Sequence, residues 1–180
     1  MFEVTGALVV FNGQYLTVVN GGGLGGPDTG IEAVPLHSDG THASGWETFA
    51  VIFADQARQR FSLQTASGHF VTAMYGGGIG GPNDATCPVH TDGTVLTPWE
   101  TLTFSIDTAQ EPPTMTIRTS GGNYLTAVGG GGVVDEKPND PVQTNRMTRG
   151  GWETFSIEQP QHEESAYGER SIRMVPVIIP

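Results

Sequence analysis

The sequence predicts an all-β protein: a β-trefoil of three four-stranded repeats with a C-terminal extension. Two observations predict this fold, an internal repeat and the number of short β-prone segments in each copy. Trp-Glu-Thr begins at Trp46, Trp99 and Trp152, so successive copies lie 53 residues apart (99 − 46 and 152 − 99). Repetition at this period indicates one structural unit used three times.

Three further markers recur in the same order in every copy. They are a Gly-x-aromatic-x-Thr motif (13–17, 68–72, 122–126), a glycine run (21–23, 76–78, 129–132) and a proline followed by Asp or Asn (Pro27, Pro82, Pro138). The common order of all four markers defines the repeat and excludes a chance match of one short motif.

Each copy holds four short segments rich in β-branched and aromatic residues and bounded by Gly, Asn, Asp or Pro. The predicted strands are 7–11, 15–19, 31–36 and 48–53 in the first copy, 61–65, 70–75, 85–90 and 101–106 in the second, and 115–119, 124–128, 142–145 and 154–158 in the third. Asn12-Gly13 is a strong hairpin signal, because a type I′ turn needs positive φ at both central residues. No segment shows a sustained helical period.

The three copies are predicted to share one core. Four short strands cannot enclose a core alone, and they leave open edges. Three copies around an axis close a small barrel, whereas a three-bladed propeller would fall below the usual blade number. The predicted bounds are 1–159 for the trefoil, with repeats of about 2–54, 55–108 and 109–159, and 160–180 for a tail.

The charge of the chain argues against two classes of partner. The chain has 8 basic and 19 acidic residues, a net charge of −11 and a pI near 4.6, which repels nucleic acids and anionic membranes. Cys87, the one cysteine, forms no internal disulfide and is expected to be a small buried hydrophobe. As given, the sequence opens with no signal peptide and predicts a cytoplasmic protein, or a secreted one whose leader has been removed.

The third copy carries a family resemblance. It reads Gly-Asn-Tyr-Leu-Thr-Ala-Val-Gly-Gly-Gly at 122–131 and Trp-Glu-Thr-Phe at 152–155. This pattern resembles the fascin-like repeats of the β-trefoil superfamily, and the likeness covers residues 2–159. It is most similar to the bacterial version that accompanies carbohydrate-active enzymes, so the resemblance implies a sugar-binding appendage. The Gln-x-Trp signature of ricin-like trefoils is absent, so no sugar-binding residues are transferred from that family.

The repeated Trp-Glu-Thr triplets have two interpretations. The tryptophans could stack on sugar rings, but an aromatic residue present in all three copies is more typical of core or cap packing. Glu47, Glu100 and Glu153 are expected to accept bonds from a backbone amide or a nearby hydroxyl. Catalysis by paired carboxylates is not predicted, because threefold-related sites on a barrel lie far apart.

Polar residues after the predicted third strands are candidates for a binding site. His37-Ser38-Asp39-Gly40 and His90-Thr91-Asp92-Gly93 are equivalent, and the third copy has Gln143-Thr144-Asn145-Arg146 in their place. Asp-Gly is typical of a turn. The alternative is a polar pocket in which these side chains bind the hydroxyls of a sugar. His37 and His42 alone are too few ligands to predict a metal site.

The glycine runs also have two interpretations. Glycine is needed for positive φ, tight turns or close approach to the main chain, and a tight loop over the barrel would use it in this way. The alternative is a shallow site in which exposed loop amides and aspartates meet a polyol. The predicted ligand-binding residues are therefore Asp28, His37, Asp39, Asp84, His90, Asp92, Asp140, Gln143 and Asn145.

The tail from 160 to 180 lies outside the repeat. Residues 161–170 are polar and predict a linker, whereas 171–180 are apolar and β-prone and predict an extra strand on this domain or on another copy. We predict a non-catalytic, lectin-like module that binds a glycan or other polyol at the glycine-rich loops, with no catalytic residue, cofactor or metal. The alternative is a protein-binding module, an inhibitor or scaffold that acts through its loops or its tail.

Overall fold

Six antiparallel strands form a closed ring, and this barrel encloses the core. The computed structural model describes residues 2–26, 34–55, 59–80, 85–134, 140–164 and 170–176. The barrel strands are β1 (Phe2–Val9), β4 (Thr48–Phe53), β5 (Arg60–Gln64), β8 (Leu102–Asp107), β9 (Thr114–Arg118) and β12 (Thr154–Glu164). β1 pairs with β4 and β12, β5 with β4 and β8, and β9 with β8 and β12, so the ring closes.

Three hairpins, one from each copy, meet around the pseudo-threefold axis. They join β2 (Tyr15–Val18) to β3 (Leu36–Gly40), β6 (Phe70–Ala73) to β7 (Val89–Gly93), and β10 (Tyr124–Ala127) to β11 (Val142–Arg146). Gly13, Gly68 and Gly122, in the turns that precede these hairpins, have φ values of 86°, 83° and 85°. The predicted architecture of three four-stranded copies is therefore observed, and the described part of the chain holds no α-helix.

Side chains from all three copies meet in the core. Its largest fully buried members include Phe49, Phe61 and Phe155. Phe61 packs against Phe53 and Phe104, with ring centroids 6.5 and 5.6 Å away, which is within the favourable range for aromatic pairs. Each barrel strand directs only alternate residues inward. One copy therefore supplies too few inward side chains to enclose these rings.

Two of the third strands lie further along the chain than the sequence predicts. In place of 31–36 and 85–90, the strands are Leu36–Gly40 and Val89–Gly93; of the predicted positions, 31–33 lie outside the described residues. The prediction that Asp39-Gly40 and Asp92-Gly93 form turns is wrong. Both pairs belong to strands, because Tyr15 and Phe70 of the neighbouring strands pair as far along as Gly40 and Gly93.

Each glycine loop binds the third strand of the next copy, and we call this contact the inter-repeat clasp. In the second loop, Gly78 N donates to Thr144 O at 2.8 Å, and Thr144 N donates to Ile79 O at 2.8 Å. The hydroxyl of Thr144 accepts from Ile79 N at 3.2 Å and donates to Ile79 O at 3.1 Å. The same four bonds join Gly23 and Leu24 to Thr91, and Gly132 and Val133 to Ser38. The clasps therefore link the three copies in a closed cycle.

The clasp needs glycine at one position in each loop. Gly22, Gly77 and Gly131 have φ values of 109°, 103° and 108°, which L side chains rarely adopt. A Cβ on Gly77 would lie 2.2 Å from Thr119 Oγ1, and one on Gly131 would lie 2.3 Å from Val10 Cγ2. Both obstructing side chains belong to the next copy. Glycine thus lets the main chain of one copy touch its neighbour, as the tight-loop interpretation requires.

A strand from the tail extends the sheet beyond the barrel. β13 (Arg170–Pro176) pairs antiparallel with the later part of β12, with Pro176 opposite Glu158 and Arg170 opposite Glu164. β12 therefore continues into the segment whose polar composition predicts a linker, because β13 supplies it with backbone partners. Residues 165–169 and 177–180 lie outside the described part of the chain.

Replacing Gly77 by alanine should lower the free energy of unfolding by about 3 kcal/mol, because the change adds left-handed strain and a steric clash. Urea unfolding followed by tryptophan fluorescence measures this loss. The matched control is Gly45→Ala, where a Cβ meets nothing within 4 Å and a shift below about 0.5 kcal/mol is expected. Equal stability of the two variants would contradict the role assigned to Gly77.

Tyr15 should make stability depend on alkaline pH. Its hydroxyl donates to Glu158 Oε2 at 2.8 Å, and burial, followed by this carboxylate, raises the pKa of Tyr15 from 10.0 to about 12. The unfolded chain loses the phenolic proton first, so this contribution is complete below pH 10 and disappears by about pH 12. The free energy of unfolding of Tyr15→Phe should decline less over that window than that of the unaltered protein. An unchanged slope in Tyr15→Phe would refute the effect.

Candidate functional site

The predicted His, Gln, Asp and Asn residues flank the clasp at equivalent places in the three copies. On β3 the residues His37 and Asp39 lie on either side of Ser38, which binds the third glycine loop. A β-bulge lies here, since Thr17 pairs with His37 but Tyr15 pairs with Gly40, and His37 Nδ1 lies 3.9 Å from Asp39 Oδ1. The equivalent pairs are His90 with Asp92 and Gln143 with Asn145. Each candidate site is therefore a junction between the strand of one copy and the loop of another.

Of the three remaining predicted aspartates, the structure describes one. Asp140 is buried, with 8% of its surface exposed, and precedes β11. Asp28 and Asp84 lie outside the described residues. The structure therefore brings together the predicted residues in pairs on strands and does not test the aspartates of the first two loops.

The loop amides that a shallow polyol site would use are engaged in the clasp. In every loop two successive amides, such as Gly78 N and Ile79 N, donate to the next copy. These two amides of each loop are therefore occupied by the bonds that hold the copies together. The side chains that flank the clasp therefore remain the candidates for ligand binding.

In the first two copies a histidine and an aspartate face each other. The Nδ1–Oδ1 distances are 3.9 Å for His37 and Asp39 and 3.8 Å for His90 and Asp92. These separations allow electrostatic attraction but exceed a normal hydrogen bond. The side chain of His37 is 22% exposed and that of His90 is 6% exposed. Within the described ranges no group of three His, Cys, Asp or Glu residues could hold a metal ion.

The third copy holds an unusual pair of polar atoms. Gln143 is 7% exposed, and its Nε2 has no hydrogen-bond partner in the described structure. Asn145 Nδ2 donates to Gly80 O at 2.8 Å, while its Oδ1 has no partner there. A buried polar atom without a partner is uncommon and costs about 1–3 kcal/mol. Gln143 also lies against Gly80, where an added Cβ would be 2.6 Å from Gln143 Cβ, so this donor and this acceptor both adjoin the second glycine loop and lack partners among the described residues.

The repeated glutamates have structural roles, which confirms the expected bonds to amides and hydroxyls. Glu100 is 4% exposed; its Oε2 accepts from Thr97 N at 2.8 Å and its Oε1 from Thr72 Oγ1 at 2.8 Å. Glu153 repeats this pattern with Gly150 N at 2.7 Å and Thr126 Oγ1 at 3.0 Å. The carboxylates of Glu100 and Glu153 thus tie the turn before their own tryptophan to the second strand of their copy, with both oxygens occupied, whereas Glu47 bonds only to Ser44 of its turn.

The repeated tryptophans act as caps with one face exposed. Trp46, Trp99 and Trp152 are 47%, 38% and 42% exposed, and each indole lies against a glycine of the 3₁₀ turn in its own copy. Their surroundings differ. Tyr75 packs edge-on to Trp99 at 5.4 Å, and the exposed Phe11 lies beside the same glycines, 130 and 151, as Trp152.

Sequence reasoning missed these exposed neighbours, since it concentrated on positions that repeat. Phe11 and Tyr75 are 66% and 64% exposed. The equivalents of Phe11 are Ala66 and Ser120, and those of Tyr75 are Asn20 and Gly129. Tyr75 also has a φ of 55°, a conformation that suits its Asn and Gly counterparts better. The signal that could have found both residues was a large aromatic residue at a position that is small or polar in the other copies.

Two clefts lie in the third copy and at its junction with the first. The arginine cleft, of about 340 Å³, is lined by Arg146, Thr148, Arg149, Gly150, Gly151, Trp152 and Glu153. The junction cleft, of about 370 Å³, is lined by Val9, Val10, Phe11, Gln110, Glu111, Pro112, Thr114, Arg149, Thr154, Phe155 and Ser156. No predicted ligand-binding residue lines either of these two clefts.

Comparisons with known proteins support the fold. No family model and no curated protein matches the chain. Among solved structures, it is similar to the designed threefold-symmetric protein ThreeFoil, with a TM-score of 0.62 and 10% identity over 85% of this chain and 96% of that one. It is also similar to the Rhizoctonia solani agglutinin, with a TM-score of 0.57 and 14% identity over 87% and 95% of the two chains. Both are β-trefoil proteins, so the predicted fold is confirmed.

No described helix is long and apolar enough to span a membrane.

The bonds to the buried glutamates can be tested with an isosteric pair of substitutions. Thr72 Oγ1 donates to Glu100, whereas Thr17, its equivalent in the first copy, has a buried hydroxyl without a partner in the described structure. Thr72→Val should lower the free energy of unfolding by about 2 kcal/mol, because it removes a bond to a charged group. Thr17→Val should be neutral or slightly stabilising. Equal losses in chemical denaturation would contradict this difference between the copies.

Proposed function

We propose that the protein is a non-catalytic, lectin-like module that binds a carbohydrate at the junction of β11 and the second glycine loop. The observation that carries the proposal is that Gln143 Nε2 and Asn145 Oδ1 are buried without partners among the described residues. A sugar hydroxyl both donates and accepts, so two neighbouring hydroxyls complement an amide donor beside a carbonyl acceptor. An apolar ligand would make neither bond.

The other two copies support the proposal with related chemistry. His37 with Asp39, and His90 with Asp92, also place a nitrogen and a carboxylate on one strand face. Charged acceptors and imidazole bind hydroxyls strongly. The proposed ligand-binding set keeps these residues together with Asp28, Asp84 and Asp140, which adjoin the same loops in sequence.

The comparisons support a carbohydrate ligand only through the fold. One structural neighbour is an agglutinin, but a likeness at 14% identity shows the fold alone and transfers no binding residues. Membership of the fascin-like family stays a prediction from the Gly-Asn-Tyr-Leu-Thr and Trp-Glu-Thr-Phe motifs. That membership would imply the same sugar-binding role.

An enzymatic role is not proposed, because the most prominent acids are committed elsewhere. Glu100 and Glu153 each accept bonds at both oxygens, so neither offers a carboxyl group to a substrate. A general acid or base must reach the reacting atom directly or through one water.

Protein binding through the tail is a second candidate function. β13 pairs with β12 alone in the described structure, and a strand with one open edge can pair with another chain. Deleting residues 165–180 and measuring the mass in solution tests this candidate. A smaller assembly would support it, and an unchanged mass together with unchanged partner binding would reject it.

Binding should be tested on a glycan array, followed by calorimetry with the best neutral saccharide. Gln143→Leu removes the unpartnered donor, so affinity should fall by about tenfold or more, equivalent to about 1.4 kcal/mol. The free energy of unfolding should stay equal or rise, because a buried unsatisfied atom is lost. Gln59→Leu, at an exposed position in the second copy, is the control and should bind normally. No binding at millimolar concentration, or normal binding by Gln143→Leu, would reject the site.

A further inference from the structure

The third copy differs from the other two in its charge. Arg118, Arg146 and Arg149 lie there, in a chain with only 8 basic residues and a net charge of −11. The equivalents of Arg146 are Gly40 and Gly93, and those of Arg149 are Ala43 and Leu96. Positive charge in this copy is therefore an addition to the repeat and not part of its architecture.

Two of these arginines have internal partners, and one does not. The Arg118 guanidinium lies 4.3 Å from the ring centroid of Tyr124 and donates to its hydroxyl. Arg149 Nη2 lies 3.0 Å from Asp107 Oδ2 and holds the pKa of that carboxyl below its usual value. Arg146 is exposed and makes no hydrogen bond or ion pair with the described residues. Its charge is the one available to a ligand.

Arg146 and Arg149 line the arginine cleft together with the exposed Trp152. The volume of about 340 Å³ suits a small ligand, and an indole face packs well on the apolar face of a sugar ring. Glu153 also lines the cleft, but its oxygens accept from Gly150 and Thr126.

Arg146 is not needed to neutralise the buried glutamate. Glu47 and Glu100 are 7% and 4% exposed, compared with 4% for Glu153. In those copies the positions of Arg146 and Arg149 hold no charged residue. The buried carboxylates are thus tolerated without an arginine, so the arginines call for a different explanation.

The junction cleft meets the arginine cleft at Arg149, which lines both. It contains the exposed ring of Phe11 and the hydroxyl of Thr114, which is buried and has no partner in the described structure. The aromatic surface of Phe11 and the unsatisfied hydroxyl of Thr114 therefore lie next to the arginine cleft. Together the two clefts can hold more than one ring.

We propose that these two clefts form a second binding site, for a short acidic saccharide that carries one carboxylate. A hexuronate ring stacks on Trp152 with its carboxylate on Arg146, and the neighbouring ring lies beside Phe11 and Thr114. One free guanidinium matches one carboxylate, which it can bind through two parallel bonds. A polyphosphate or long polyanion is disfavoured, because the net charge of −11 repels it. This site is separate from the Gln143–Asn145 site and does not depend on it.

The test compares methyl glucuronide with methyl glucoside, which differ only at C6, a carboxylate in the first and a hydroxymethyl group in the second. Titration of the full chain, followed by tryptophan fluorescence and calorimetry, should show at least about tenfold tighter binding of the glucuronide. The advantage should shrink as salt rises. Equal affinity for the two ligands, or equally tight binding of inorganic phosphate, would overturn the proposal, since neither result needs a carboxylated ring.

Substitutions identify the residues that bind glucuronide. Arg146→Gln should remove the preference for glucuronide, whereas Arg60→Gln, whose arginine is paired with Asp55, should keep it. Thr114→Val should weaken a glucuronide-containing disaccharide but not the methyl glucuronide, and thermal melts confirm that each variant is folded. Gln143→Leu should keep the preference for glucuronide over glucoside, because that preference depends on Arg146, so failure of the Gln143–Asn145 site and failure of this site give different results. Normal glucuronide preference in Arg146→Gln would overturn the assignment.

Discussion

The inter-repeat clasp is the interaction on which the rest of the molecule depends. A glycine loop of each copy forms four hydrogen bonds with a Ser or Thr in the third strand of the next copy, such as Thr144. No copy can make these bonds alone, so the clasp couples the copies as the shared core does. Gly77 and its equivalents are required because any side chain would occupy the space of the neighbouring copy.

This constraint separates architecture from function. Residues that repeat in all copies mostly serve the clasp and the turns next to it: the glycines, the buried glutamates and the capping tryptophans. Both proposed sites use residues that flank these elements and differ among copies, and the second also uses the exposed face of Trp152. Gln143 and Asn145 replace a His–Asp pair, and Arg146 replaces a glycine. In both proposals, a pseudo-symmetric scaffold therefore carries an asymmetric binding surface.

The repeat could be predicted from the sequence because Trp-Glu-Thr and the glycine runs record positions that the fold fixes three times. The strand limits of β3 and β7 could not, because Asp-Gly is a turn signal locally, whereas pairing with Tyr15 or Phe70 holds it in a strand. The candidate residues at His37, His90 and Gln143 were identifiable as differences between copies. Gln143 Nε2 lacks a partner among the described residues, and Arg146 and Arg149 share a cleft with Trp152. Both facts depend on contacts between distant segments that no local pattern encodes.

The most direct test of the link between broken symmetry and function is a crystal structure of the protein soaked in neutral saccharides. The third copy should hold sugar density, with a pair of hydroxyls bonded to Gln143 Nε2 and Asn145 Oδ1. The glycine-loop amides should remain bonded to Ser38, Thr91 and Thr144. Equal occupancy at the three equivalent junctions, or sugar bound to loop amides released from the clasp, would contradict this separation of roles.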